Sequence, residues 1–258
     1  MLKNRSELVL PIVVFAMFIV FWELLTRFGD IHEAVLPPPS AVAQALLEHS
    51  NELLSAGLAS LLIAGTGFSL SLIVGIFIAI VMSQSKAIEA SLYPYALFLQ
   101  CVPVVAIAPL FILWFGYGLP AMIMISFVLA LFPIITTTIN GIQSVSKEHL
   151  ELMQLCEASQ WQVLTKVRLP SAVPYIITGA RVSAGLSVVG AIVGEYFAGL
   201  AGRAQGLAYL IRSNEQNADF PYLFATTIAC AVLGLIIFLF VGFIGDKIRE
   251  KGHFQEKR

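Results

Sequence analysis

LASLLIAGTGFSLSLIVGIFIAIVM, residues 58–82, contains no Asp, Glu, Lys, Arg or His. A helix needs about 20 mainly apolar residues to cross the hydrocarbon core of a bilayer, so this stretch reads as a membrane-spanning helix. The whole chain shares its character. Apolar residues make up 58% of the 258 positions and charged residues 12%, where a soluble domain carries about a quarter charged residues. The same ruler gives six spans: Leu8 to Leu25, Leu58 to Met82, Tyr93 to Phe115, Leu119 to Ile139, Pro174 to Glu195 and Tyr222 to Gly245. The predicted fold class is therefore all-α, a polytopic membrane protein of about six helices forming one domain over residues 1–258. Lys3 and Arg5 precede the first run as they would in a signal peptide. No small-residue cleavage site follows, and the run ends in Trp22 and Glu23, so it reads as a retained first helix.

Six spans place both termini on one side, and short-loop Lys and Arg choose which side. One set of flanks holds Lys3, Arg5, Lys86, Lys147, Lys166, Arg168, Lys247, Arg249, Lys251, Lys257 and Arg258; the other holds Arg27, Arg203 and Arg212. That distribution, 11 against 3, predicts cytoplasmic termini and a cytoplasmic loop Asn140 to Val173. Thr26 to Gly57 and Tyr196 to Pro221 then face out. Net charge is only -1, so no basic field advertises nucleic acid.

Pro94, Pro103, Pro109 and Pro133 each remove a backbone donor inside a predicted span, which suits kinked helices around a cavity or irregular packing. Gly190 and Gly194 form a GxxxG close-contact face. Cys101, Cys156 and Cys230 offer neither a disulfide framework nor a CxxC site, and read as packing residues. No metal or cofactor is implied.

Residues 144–173 are too long for a plain connection and too patterned for a linker. Ser146 can cap a helix beginning at Lys147, with Glu148 in its first turn. Ser159 with Gln162 reads as a capping box, predicting a second short helix from Gln160 to about Val167, stopped by Leu169-Pro170. A bend near Glu157 joins them. The apolar residues of this hairpin, Leu150, Met153 and Leu155 and then Trp161, Leu164 and Val167, need cover. Their own helix ends, the membrane surface and another protein all remain open.

Glu151-Leu152-Met153, then Glu157, then Val167, Leu169 and Pro170 resemble the cytoplasmic loop of binding-protein-dependent ABC permeases. That family's pattern is Glu-Ala-Ala, three residues, Gly, nine residues, Ile, one residue, Leu-Pro. Leu152 and Met153 replace the two alanines, and Glu157 stands at the glycine. Glu157-Ala158-Ser159 looks like the motif but lies six residues out of register, so Glu151 is taken as the motif glutamate. Leu36-Pro37-Pro38-Pro39-Ser40, Val102-Pro103 through Phe115-Gly116, and Gly179-Ala180-Arg181 through Glu195 resemble the nitrate, sulfonate, taurine and thiamine-precursor branch. The resemblance implies a permease of a bacterial inner-membrane importer, paired with a second permease copy, two cytoplasmic ATPase subunits and an external binding protein. It implies ATPase coupling through Glu151, Leu152, Met153, Glu157, Trp161, Val167, Leu169 and Pro170. The chain has no GxxxxGK[ST], so it is not itself expected to be an enzyme.

Arg181 and Glu195 are ionisable residues inside the fifth span, and such groups are functional candidates. Fourteen residues apart, they stand roughly 21 Å along the axis and about 40° around it, so they cannot pair with each other. With Gln100, Thr136 to Thr138 and Asn140 they can line a translocation path. Glu195 can equally be an outer-interface carboxylate and Arg181 a structural bridge. An ion-coupled secondary transporter using Glu195 is the competing reading, and leaves the patterned loop unexplained. An intramembrane enzyme lacks its equipment: His32, His49, His149 and His253 lie outside the apolar cores, with no HExxH.

Overall fold

The computed structural model describes residues 5–29, 31–199 and 205–251, and every regular element among them is helical. Lys3, Arg203, His253, Lys257 and Arg258, which entered the charge and histidine readings, lie outside the described residues. The order is α1 (Arg5–Phe28), α2 (Pro39–Glu48), α3 (Ser50–Met82), α4 (Lys86–Cys101), α5 (Val104–Phe115) and α6 (Leu119–Gln143). Then come α7 (Lys147–Leu155), α8 (Gln160–Val163), a π turn (Leu164–Arg168), α9 (Leu169–Ala198), α10 (Leu207–Gln216) and α11 (Phe220–Lys251).

Five helices are long and apolar enough to cross a bilayer: Val9–Phe28, Ser50–Met82, Leu119–Gln143, Gln160–Ala198 and Phe220–Glu250. The third predicted span is not one helix. It breaks between Cys101 and Val104, where Val102 and Pro103 are extended at ψ 122° each. Proline disfavours α geometry at the residue before it, and Val102 obeys. Pro94, Pro109 and Pro133 are carried inside their helices. Neither the 16 residues of α4 nor the 12 of α5 spans a bilayer alone.

The core is a seam of α6 and α9 with α3 laid on it. Lipid is as apolar as leucine, so membrane helices associate through close packing and interhelical hydrogen bonds rather than through exclusion from water. The sequence supplies both. A Cβ on Gly190 would sit 2.6 Å from the Ser126 Cα, and one on Gly194 2.8 Å from the Met122 Cα, so the GxxxG face is the α6 contact. Ser126 Oγ donates to the Ser187 carbonyl at 2.8 Å, and Ser183 Oγ to that of Ala130 at 2.7 Å. Bonds of this kind contribute roughly 0.6 kcal/mol each. These contacts run antiparallel along α6 and α9. Gly67 against Ser126 and Gly75 against Ile134 set α3 parallel to α6, and Gly234 against Val188 with Gly245 against Ile177 set α11 antiparallel to α9.

Of the three cysteines read as packing residues, Cys230 does pack, against the cluster of Leu53, Leu207 and Tyr222. Cys101 and Cys156 are exposed and Cys230 is half-buried.

Candidate functional site

The hairpin 147–168 assembles as its sequence dictates, with two corrections. Ser146 occupies the N-cap of α7 but its side chain caps no backbone donor; its Oγ lies 2.7 Å from His149 Nδ1. The first turn is still completed by an anion, since Glu148's own amide, then Ser146, hold its carboxyl below the usual carboxylate range. Ser159 and Gln162 form the expected capping box, Gln162 N donating to Ser159 Oγ at 3.3 Å and Ser159 N to Gln162 Oε1 at 2.8 Å.

Between the helices, Glu157 adopts φ +52°. Its amide donates to the Gln154 carbonyl at 2.9 Å and that of Ala158 to the Met153 carbonyl at 3.0 Å. This is a Schellman C-cap, whose left-handed position glycine usually fills because it has no Cβ to clash. A glutamate bears that conformation here. The position that favours glycine in this hairpin is thus residue 157.

The second correction concerns Leu169-Pro170, which does not stop the helix. α8 passes through the π turn into α9, and Pro170 enters at the first turn of α9. Proline lacks the amide for an i−4 bond and its ring crowds the carbonyl four residues back. The wider i→i+5 turn makes room for it.

Leu164 is buried and anchors the hairpin, while Met153, Val167, Leu169 and Pro170 are half-buried. Leu152, Leu155 and Trp161 are 58%, 83% and 70% exposed, and Glu151 is exposed beside them. Of the three kinds of cover open from sequence, the hairpin's own helix ends do not provide it for these residues.

The residues suggested for a translocation path do not converge. Gln100 and Asn140 are exposed at the ends of α4 and α6. Thr137 is turned to the seam, its Oγ1 donating to the Pro133 carbonyl at 2.7 Å and lying where a Gly179 side chain would go. Arg181 reaches α11, where Nη2 donates to the Gly242 carbonyl at 2.9 Å and to Asp246 Oδ1. Glu195 is 1% exposed, and Oε2 accepts from Ala208 N at 3.0 Å. It therefore sits on the N-terminus of α10, where free amides and the helix dipole favour an anion. Ser60 Oγ takes the neighbouring Leu207 amide at 2.9 Å. A Cβ on Gly206 would meet the Glu195 carboxylate at about 2.2 Å, so any larger residue there must displace that carboxylate.

Asp246, Ser60, Gly206 and α10 itself escaped the sequence reading. The helix left a signal: Gly206 precedes Leu207, Ala208, Leu210 and Ile211 at helical spacing.

A family profile described as binding-protein-dependent transport system inner membrane component matches residues 71–250. The chain belongs to that family. It is the permease subunit of an ABC importer, a transport protein, and the secondary-transporter alternative falls away. The formylaminopyrimidine transport permease protein ThiX of Halalkalibacterium halodurans is 31% identical over 239 residues, 92% of this chain and 93% of that one. The riboflavin transport system permease protein RibX of Chloroflexus aurantiacus is 32% identical, covering 90% and 86%. The bicarbonate transport system permease protein CmpB of Synechococcus elongatus is 27% identical, covering 94% and 90%. The permease fold also matches a chain of the inward-facing MetNI methionine ABC transporter, with a TM-score of 0.63 at 18% identity over 78% of this chain and 95% of that one.

Proposed function

We propose that this permease works as a pair of copies, receives substrate from an external binding protein, and is driven by two cytoplasmic ATPase subunits seated on the hairpins. The observation carrying this reading is the exposed trio Leu152, Leu155 and Trp161, displayed next to Glu151 on a rigidly capped hairpin. Exposed apolar side chains on a hairpin that also carries charge suit a protein partner. Lys147, Lys166 and Arg168 flank it, and the positive-inside rule puts that face and both termini in the cytoplasm.

Within the spans, the two charges suggested for substrate contact already have structural duties: Arg181 is matched by Asp246, and Glu195 caps α10. An anionic cargo would need a cation left over. The arrangement therefore favours an uncharged heteroaromatic cargo of the kind named for the formylaminopyrimidine and riboflavin relatives, over an anion such as bicarbonate.

Vesicles holding this chain, its ATPase and binding protein should take up formylaminopyrimidine only with ATP, and the chain alone should hydrolyse none. A reporter after Arg258 should be cytoplasmic and one near Ala201 external. ATP hydrolysis by the isolated chain, or both reporters on one side, refutes the assignment.

A further inference from the structure

A cavity of about 610 Å³ opens where α3 turns into α4, beside the hairpin. Lys86, Glu89 and Tyr93 line it from α4, Gln143 from α6, Leu150 from α7 and Arg168 from the π turn. Neither Lys86 nor Arg168 forms an ion pair among the described residues. Glu89 is already engaged, accepting from the Gln143 amide at 2.8 Å. The mouth thus presents two cations from distant parts of the chain against one carboxylate, that of Glu89.

Deeper along the same three helices lies a second cavity of about 290 Å³ with an entirely apolar lining, including Met82 of α3, Leu92 and Ala96 of α4, and Leu131 and Ile135 of α6. From Gln143 to Val128, which also lines it, α6 runs 15 residues, roughly 22 Å. One leaflet contributes roughly 15 Å of hydrocarbon. The polar mouth and the apolar groove therefore lie one after the other over the length of a headgroup region and one leaflet.

We propose that this mouth and groove bind an anionic phospholipid, its phosphate between Lys86 and Arg168 and an acyl chain under α4 along Met82, Ala96 and Ile135. The Arg168 guanidinium suits phosphate oxygens, and Lys86 adds a point charge. A soluble cytoplasmic partner cannot reach a groove at membrane depth, whereas a lipid fills both parts at once. Basic pockets between membrane helices on the cytoplasmic side are fitted to such headgroups. The proposal uses the orientation given above only to name the cytoplasmic leaflet; its test reads lipid binding and not transport.

The full-length chain in detergent is titrated with phosphatidylglycerol and with phosphatidylcholine, and bound lipid is counted by native mass spectrometry. Phosphatidylglycerol should bind more tightly. Lys86→Gln, an exposed side chain, and Arg168→Gln should each weaken it about fivefold, as one basic residue near an anionic lipid contributes, with phosphatidylcholine unchanged. Ala96→Phe should block the groove and lower phosphatidylglycerol binding. Equal binding of the two lipids, or no loss in either charge variant, overturns the proposal. Displacement of the lipid by excess inorganic phosphate would instead show a site for soluble anions, and a disulfide between two copies of a Phe132→Cys variant would show that a second copy fills the groove. Either result overturns it too.

Discussion

Trp161→Ala should weaken association with the ATPase while leaving the permease itself as stable as before. A tryptophan can bury about 150–250 Å², and with 70% of Trp161 exposed roughly 100–175 Å² remains to be covered by a partner. At about 25 cal/mol per Å² that area is worth roughly 2.5–4.5 kcal/mol. Association also costs side-chain ordering, so the lower half of the range is the sounder expectation. A loss of about 2.5 kcal/mol corresponds to roughly 70-fold in affinity. Stability should be insensitive because Trp161 contributes no side chain to the capping box, which uses Ser159 and Gln162. The assay is binding of the purified ATPase to immobilised permease, with thermal unfolding of the permease in detergent as control. Unchanged affinity would refute partner docking through this face, and a matching fall in stability would show that Trp161 serves the hairpin's own fold.

Glu151→Ala should uncouple ATP hydrolysis from uptake in vesicles, since stranding one member of a desolvated charge pair costs about 2–5 kcal/mol. Glu157→Gly should be mild because glycine relieves a φ of +52°; the reverse ranking would refute the register. Asp246→Asn should lower stability by only about 1 kcal/mol, because the aspartate is 60% exposed, and should leave uptake of an uncharged substrate intact. Loss of uptake from a fully assembled Asp246→Asn complex would refute the substrate argument. Gly190→Leu should prevent α6 and α9 from seating, at more than the roughly 1–3 kcal/mol of ordinary overpacking, because the Ser126 backbone is 2.6 Å from the new Cβ. Gly185→Ala has nothing within 4 Å and should be neutral or stabilising; equal damage in the two thermal melts would disprove the seam.

What could be read from sequence was whatever is enforced locally. Residues 58–82 declare a span because no charge interrupts them, and Ser159 with Gln162 declares a helix start because both groups of the box lie within three residues. The break of the third span was not legible. Pro94, Pro103 and Pro109 look alike in sequence, yet only at Pro103 does the chain leave the helix. Arg181 was visible as an intramembrane cation, but its partner Asp246 lies 65 residues away. The role of Glu195 depends on Gly206 and α10 folding back over it, a tertiary fact without periodicity. Pro170 misled for the opposite reason, since a local rule that usually ends helices was overridden by a π turn.

That turn has a mechanical consequence. From Gln160 to Ala198 the backbone is continuously helical over 39 residues, a strut of roughly 58 Å. One end carries Trp161 at the hairpin tip, and near the other Glu195 grips the first turn of α10. Displacement at the tip need not be relayed through a succession of side-chain contacts, because both ends belong to one continuous helix. Its departure from α geometry is the π turn at Leu164–Arg168, and the stiffness of that turn sets how much of a push at one end arrives at the other.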